Sequence, residues 1–252
     1  MMKAVTLEFF KIRHKHIFLM VLLFLSVEAG WAFMASLMSI SRNANNAGWM
    51  PLIAMFSSMN GLFLPILSAV CVSRICDMEH KGDTWRLLLS VSVKRSQLYS
   101  AKFICAATIM LCFCILQIFA IAFFGIFNRF GQPVPVYLLI RFLGGIVLTN
   151  MVIITLQQWI SLAVKNQIFA LGTGMIGGFI GITADLFPSG VRKLFIWSYY
   201  SVLSPVAQSN ISDSMQFIAK DSTGLMPAAA VLLLVGSCIY MLGNIQVSRQ
   251  EL

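Results

Sequence analysis

Charge is what this sequence has least of: Asp, Glu, Lys and Arg together make up 11% of its 252 residues. A soluble domain carries about 25%, so too little polar surface is available to face water all round. With 59% hydrophobic residues and a mean hydropathy of +0.85, the chain reads as an integral membrane protein. Acidic groups are scarcer still, nine against 18 Lys and Arg, for a net charge of +9. The basic residues sit at the ends of apolar runs, where topology and headgroup contact call for them. They form no patch suited to nucleic acid, and no nucleic-acid partner is expected.

The machinery of catalysis is missing as well. No glycine-rich turn ends in Gly-Lys-Ser or Gly-Lys-Thr, so a nucleotide-binding loop on this chain is excluded. The three histidines, His14, His16 and His80, all fall at the edge of the membrane, and no His-Glu-x-x-His is present. No Ser/His/Asp set can be brought to one membrane depth. The six cysteines have no zinc spacing and suggest no disulfide framework, and they read as small packing residues. Catalytic residues, a metal and a resident cofactor are therefore not expected. No internal repeat or low-complexity tract divides the chain, which reads as one domain over 1–252.

What is present is a series of apolar runs, each near the ~20 residues that a helix needs to span a bilayer. Six are expected, at about 17–38, 52–73, 103–126, 138–162, 168–186 and 227–245. Helices are the expected state, since the alternation of barrel strands is absent and lipid forces internal backbone pairing. Before the first run lies a basic stretch in which Glu8, Lys11 and Lys15 fall on one helical face and Val5, Phe9 and Ile12 on another. That pattern suits a helix lying in the headgroup layer. A signal peptide fits less well, because the following run is long, contains Glu28 and lacks a small-x-small cleavage site. Placing both termini inside puts 12 of the 18 basic residues in the cytoplasm, including Lys102, and six outside. Residues 187–226, rich in Pro, Trp and Tyr, read as short helices at the outer interface.

Four groups of residues stand out. The stretch Arg74–Lys102 concentrates charge between the second and third runs and cannot lie in hydrocarbon. Within it, Thr84-Trp85-Arg86-Leu87-Leu88-Leu89 is helix-compatible, with Asp83 or Thr84 as cap, and its exposed bulky residues invite a partner's groove. The competing reading is a solvated loop that only sets topology. Glu28, in the middle of the first run, is costly in lipid. It reads either as part of a substrate path or proton site, or as an acid hydrogen-bonded at an interface. Gly174, Gly177, Gly178 and Gly181 give the fifth run a flat face for close packing, against another helix of this chain or a second subunit. Asn150, Gln157 and Gln158 read as interhelical hydrogen-bonding groups.

Glu79-His80-Lys81-Gly82-Asp83-Thr84, Leu87-Leu88-Leu89-Ser90, Lys94-Arg95 and Ala101-Lys102 together resemble the loop between the second and third spans of ABC-2 type exporter permeases. Among these the chain is most similar to lantibiotic (antimicrobial peptide) immunity permeases. It departs from their pattern in reading Ser90-Val91-Ser92-Val93 where a proline often precedes the basic residue. The resemblance implies a six-span subunit with an N-terminal interfacial helix and a cytoplasmic coupling helix, in a bacterial plasma membrane. It implies a cytosolic ATPase dimer, carrying ATP and Mg, docked on Glu79, Lys81, Gly82, Thr84 and Arg86. It also implies a second, sister permease chain and an antimicrobial peptide as cargo. The alternatives are a permease for another hydrophobic drug or lipid-like substrate, or a stand-alone secondary carrier; the latter favours inverted repeats, which are not seen.

Overall fold

Apolar runs of this length leave the backbone no water to bond to, and the chain answers by winding into helices. The structure, a computed structural model, describes residues 2–13, 16–43, 46–82, 95–164, 166–211 and 214–249. Six helices carry most of it: α1 (Met2–Arg13), α2 (Ile17–Arg42), α3 (Trp49–Gly82), α4 (Arg95–Phe127), α5 (Val136–Ala163) and α6 (Gln167–Ile182). After two short helices, α7 (Ser189–Arg192) and α8 (Tyr199–Val202), come strands β1 (Val206–Ile211) and β2 (Ser214–Ala219), then the last long helix, α9 (Ser222–Arg249).

Five of these helices, α2, α3, α4, α5 and α9, are long and apolar enough to cross a membrane. The sixth expected span is shorter than its apolar run. Helix α6 stops at Ile182, where Thr183 turns its hydroxyl back onto the Phe179 carbonyl, and a 3-10 turn follows. Its 16 residues rise about 24 Å, less than the ~30 Å of a hydrocarbon core. Helix α3 departs the other way. Its 34 residues rise about 51 Å and continue as helix through Arg74 to Gly82. The charged stretch thus begins on a helix, and it ends on one, since α4 starts at Arg95.

Successive long elements reverse direction, so the bundle has two ends. One, the loop end, gathers α1, the start of α2, the end of α3 and the start of α4. The other gathers the 128–135 turn and a feature the sequence reading missed, an antiparallel hairpin pairing Val206 with Ala219 through Ile211 with Ser214. The expected run of interfacial helices is therefore only partly helical. The hairpin is closed at its base by Lys220 N–H donating to the Pro205 carbonyl.

The core lies on α3, α4 and α5, where Phe56, Leu64, Leu67, Phe113, Phe142 and Ile153 are fully enclosed. The outward faces of α2 (Phe18, Leu22, Trp31), α4 (Phe119, Phe123, Phe127) and α9 (Leu233, Leu234, Met241) expose large apolar side chains. An apolar belt of that kind is what lipid requires of a bundle's outside.

Candidate functional site

The polar groups that an apolar bundle encloses must find partners in one another, and here they converge between helices. Glu28 on α2 is fully buried, and its Oε1 accepts a hydrogen bond from Gln117 Nε2 at 2.9 Å. Gln117 on α4 exchanges two bonds with Asn60 on α3, one each way, at 2.9 and 3.1 Å. Glu28 Oε2 has no partner, and among the described residues no cation pairs with this carboxylate. Glu28 thus sits in a closed amide cluster joining α2, α3 and α4.

A second set ties α5 to its neighbours. Asn150 Oδ1 accepts from Ser68 Oγ at 2.7 Å and from the Tyr200 hydroxyl at 3.4 Å. Gln158 Nε2 donates to the Tyr99 carbonyl. The Gln157 side chain lies against α6, where Thr173 Oγ1 donates to its Oε1 at 3.3 Å. With the amide turned over, it meets the Ala170 carbonyl and the Gly174 N–H instead.

The glycines of α6 lie where no side chain fits. A Cβ on Gly178 would stand 2.8 Å from the Leu62 carbonyl oxygen, and one on Gly61 would stand 2.6 Å from the Gly181 backbone. Gly174 faces Ala69 and the Pro65 carbonyl in the same way, while Gly177 lies under the Trp197 ring. Three of the four glycines therefore meet α3 of the same chain, in antiparallel order, and the fourth meets the segment after α6.

At the loop end the structure joins residues that the sequence reading kept apart. Glu8 was expected on the headgroup face of α1, and Lys102 was counted among the cytoplasmic charges. Both side chains are instead 1% exposed, and Lys102 Nζ lies 3.1 Å from Glu8 Oε2. The same ammonium donates to the Ile75 carbonyl on α3 at 2.9 Å, and Lys11 Nζ meets the other Glu8 oxygen at 3.1 Å. The burial of each, though not their pairing, was legible: Lys102 falls on the apolar stripe Leu98, Cys105, Ile109, and Glu8 is one turn from buried Ile12.

The residues expected to dock a partner lie just beyond. Glu79, Lys81 and Gly82 belong to the last turns of α3, and their side-chain positions are outside what the structure describes. Thr84 and Arg86 lie outside the described residues.

The hairpin end holds two clefts that meet at Pro51 and Phe217. One, about 660 Å³, is lined by amide and aromatic groups including Asn43, Asn46, Trp49 and Gln132. The other, about 610 Å³, is lined by Ala54, Met55 and Val206 together with Asp185, Arg192 and Lys220. Arg192 pairs with Asp185 at 3.2 Å, and Lys220 Nζ donates to the Ser201 carbonyl at 2.9 Å. Burial pushes the Lys220 ammonium below the ordinary lysine range; Asp185 opposes the shift and Arg192 adds to it. A lining that mixes apolar and charged groups suits an amphipathic molecule.

No cluster of His, Cys, Asp or Glu able to hold a metal occurs among the described residues. No curated protein matches the chain. The sequence model of the family described as ABC-2 family transporter protein matches residues 4–181, from α1 through the glycine face of α6. The chain belongs to the ABC-2 transporter family and is a membrane permease subunit of an ABC transporter.

Proposed function

We propose that this permease expels lantibiotic-type antimicrobial peptides from a bacterial plasma membrane and so protects the cell that makes or meets them. The family implies an ABC ATPase as partner, and in this reading a cytosolic ATPase dimer docks on Glu79, Lys81, Gly82, Thr84 and Arg86. Both termini lie in the cytoplasm with that loop. A second, sister permease completes the membrane part, and α1 lies in the inner headgroup layer. ATP hydrolysis, with its Mg, occurs on the ATPase, and this chain performs no covalent step.

The observation that carries the reading is the pair of helices bordering the loop. Helix α3 continues past Arg74 and Asp77 to Gly82, and α4 already begins at Arg95, before Lys102. Rigid helices deliver a push on the loop to the bundle, where a slack connection would absorb it. The peptide cargo rests on the resemblance of the Glu79–Lys102 motif and on the apolar and charged lining of the hairpin-end clefts. Glu28 is assigned to the substrate path when the bundle opens.

The test is co-purification of the chain with its soluble ATPase. Glu79→Arg and Gly82→Trp are each expected to abolish it while leaving the chain in the membrane. Binding that survives both removes the docking assignment. Loss of the gene is expected to sensitise cells to one lantibiotic and not another; unchanged sensitivity across a panel redirects the cargo to another hydrophobic drug or a lipid-like molecule.

A further inference from the structure

The hairpin has two edges, and they are not alike. Lys220 N–H donates to the Pro205 carbonyl, which fixes the parity of the ladder. Carried along the register, that parity turns the backbone groups of Val206 outward on β1 and those of Phe217 and Ala219 outward on β2. On β1 the first outward pair is taken: Ser204 Oγ accepts from Val206 N–H at 3.3 Å and donates to the Val206 carbonyl at 3.0 Å. On β2, neither Phe217 nor Ala219 has an outward partner among the described residues. The base beneath them is fixed. Pro205 has no N–H to return to Lys220, and Arg141 of α5 donates to the Lys220 carbonyl at 2.8 Å instead. Proteins ordinarily blunt a free edge with Lys, Pro or a bulge. Strand β2, Ser-Met-Gln-Phe-Ile-Ala, has no Lys and no Pro, and its register runs without a bulge.

We propose that the outward edge of β2 takes up an extended, uncharged peptide segment as a third strand. This deepens the peptide-export function above and rests on it for naming the segment as cargo. An edge offers N–H and C=O side by side on every second residue, about 7 Å apart. Only another polypeptide main chain repeats both groups at that spacing; a drug or a lipid headgroup meets one residue's pair and not the series. Room for the added strand is present. The cleft of about 660 Å³ meets the hairpin at Gln216 and Phe217, both on β2, and its other walls come from residues 43, 46–51 and 130–132. Met50, Phe130 and Phe217 give the side chains of an added strand apolar surface, and no charged residue is among the described lining. Those walls belong to the same chain as β2. A single strand therefore fits where the hairpin of a second copy, attached to its own bundle, would collide with them.

The experiment uses the full chain in lipid nanodiscs, without ATPase or nucleotide. The probe is a short fluorescent peptide of alternating Val and Thr with blocked ends, and anisotropy reads its binding. Saturable binding is expected. N-methylating every second amide of the peptide removes the donors of one edge and leaves the other, so binding should persist. Methylating every amide should abolish it with the protein unchanged. On the protein, Ala219→Pro removes one outward donor and no ladder bond. It is expected to weaken binding about fivefold, the effect of one hydrogen bond. Gly131→Trp, at a cleft position with open space around its Cβ, should fill the slot and abolish binding. Equal binding of the one-edge and fully methylated peptides overturns the proposal. So does binding that either protein variant leaves unchanged, or the absence of saturable binding. An Ala219→Pro chain that passes from dimer to monomer also overturns it, because the edge then belongs to a second copy. The export function fails separately, in cells, if loss of the gene changes sensitivity to no lantibiotic.

Discussion

At the scale of single residues, the informative groups are the polar ones that lipid should have excluded. Glu28 and Lys102 each sit on an otherwise apolar helix face, and each is held by a partner from a distant part of the chain, Gln117 and Glu8. Glu28→Gln keeps an acceptor oxygen for Gln117 Nε2, so the variant is expected to fold and to assemble with the ATPase as the parent does. On the proposed peptide-export function, removing the titratable group changes the pH dependence of peptide resistance. Resistance that matches the parent's at every pH would confine Glu28 to packing. Sequence reading singled out Glu28 because an acid amid apolar residues is conspicuous. It did not single out Lys102, because a basic residue near a helix start is ordinarily a topology signal. Only the meeting with Glu8, 94 positions earlier, gives it a different role.

At the scale of elements, α6 depends on what it lacks. Its face toward α3 is glycine because two backbones touch there. Gly172, on the same helix, has open space around its Cβ position. Gly172→Ala is therefore expected to be neutral or to stabilise by up to about 1 kcal/mol through helix propensity. Gly178→Ala must displace backbone and is expected to cost about 1–3 kcal/mol. Thermal unfolding of the two variants in the same detergent checks both; equal behaviour would mean that α6 is not seated as described. The spacing of these glycines announced a flat face. It could not say which surface the face meets, because a period of four describes one helix and carries no information about its neighbour. The hairpin was hidden for a related reason. Its six-residue strands lack strong alternation, and β1 is held by pairing with β2 rather than by its own pattern.

At the scale of the molecule, the direction in which the bundle stands in the membrane decides which end meets ATP. Basic residues favour the loop end inside. A membrane-impermeant thiol reagent applied to intact cells is expected to label a cysteine placed at exposed Leu186, and to reach one at Gln97 only after permeabilisation. The reverse pattern would put the loop outside and remove the ATPase reading with it. The membrane class, the succession of helices and the absence of a nucleotide loop or metal motif all followed from sequence, since each depends on composition or on neighbours a few residues apart. Membrane length is such a property for α2, α3, α4, α5 and α9. It is not for α6, whose apolar run continues past Ile182 while its helix ends there. The Glu8–Lys102–Ile75 link, the Glu28–Gln117–Asn60 cluster and the seat of α6 on α3 belong to the tertiary structure alone. Each is a contact between residues far apart in the chain, and burial, which makes such contacts strong, exists only once the helices have packed.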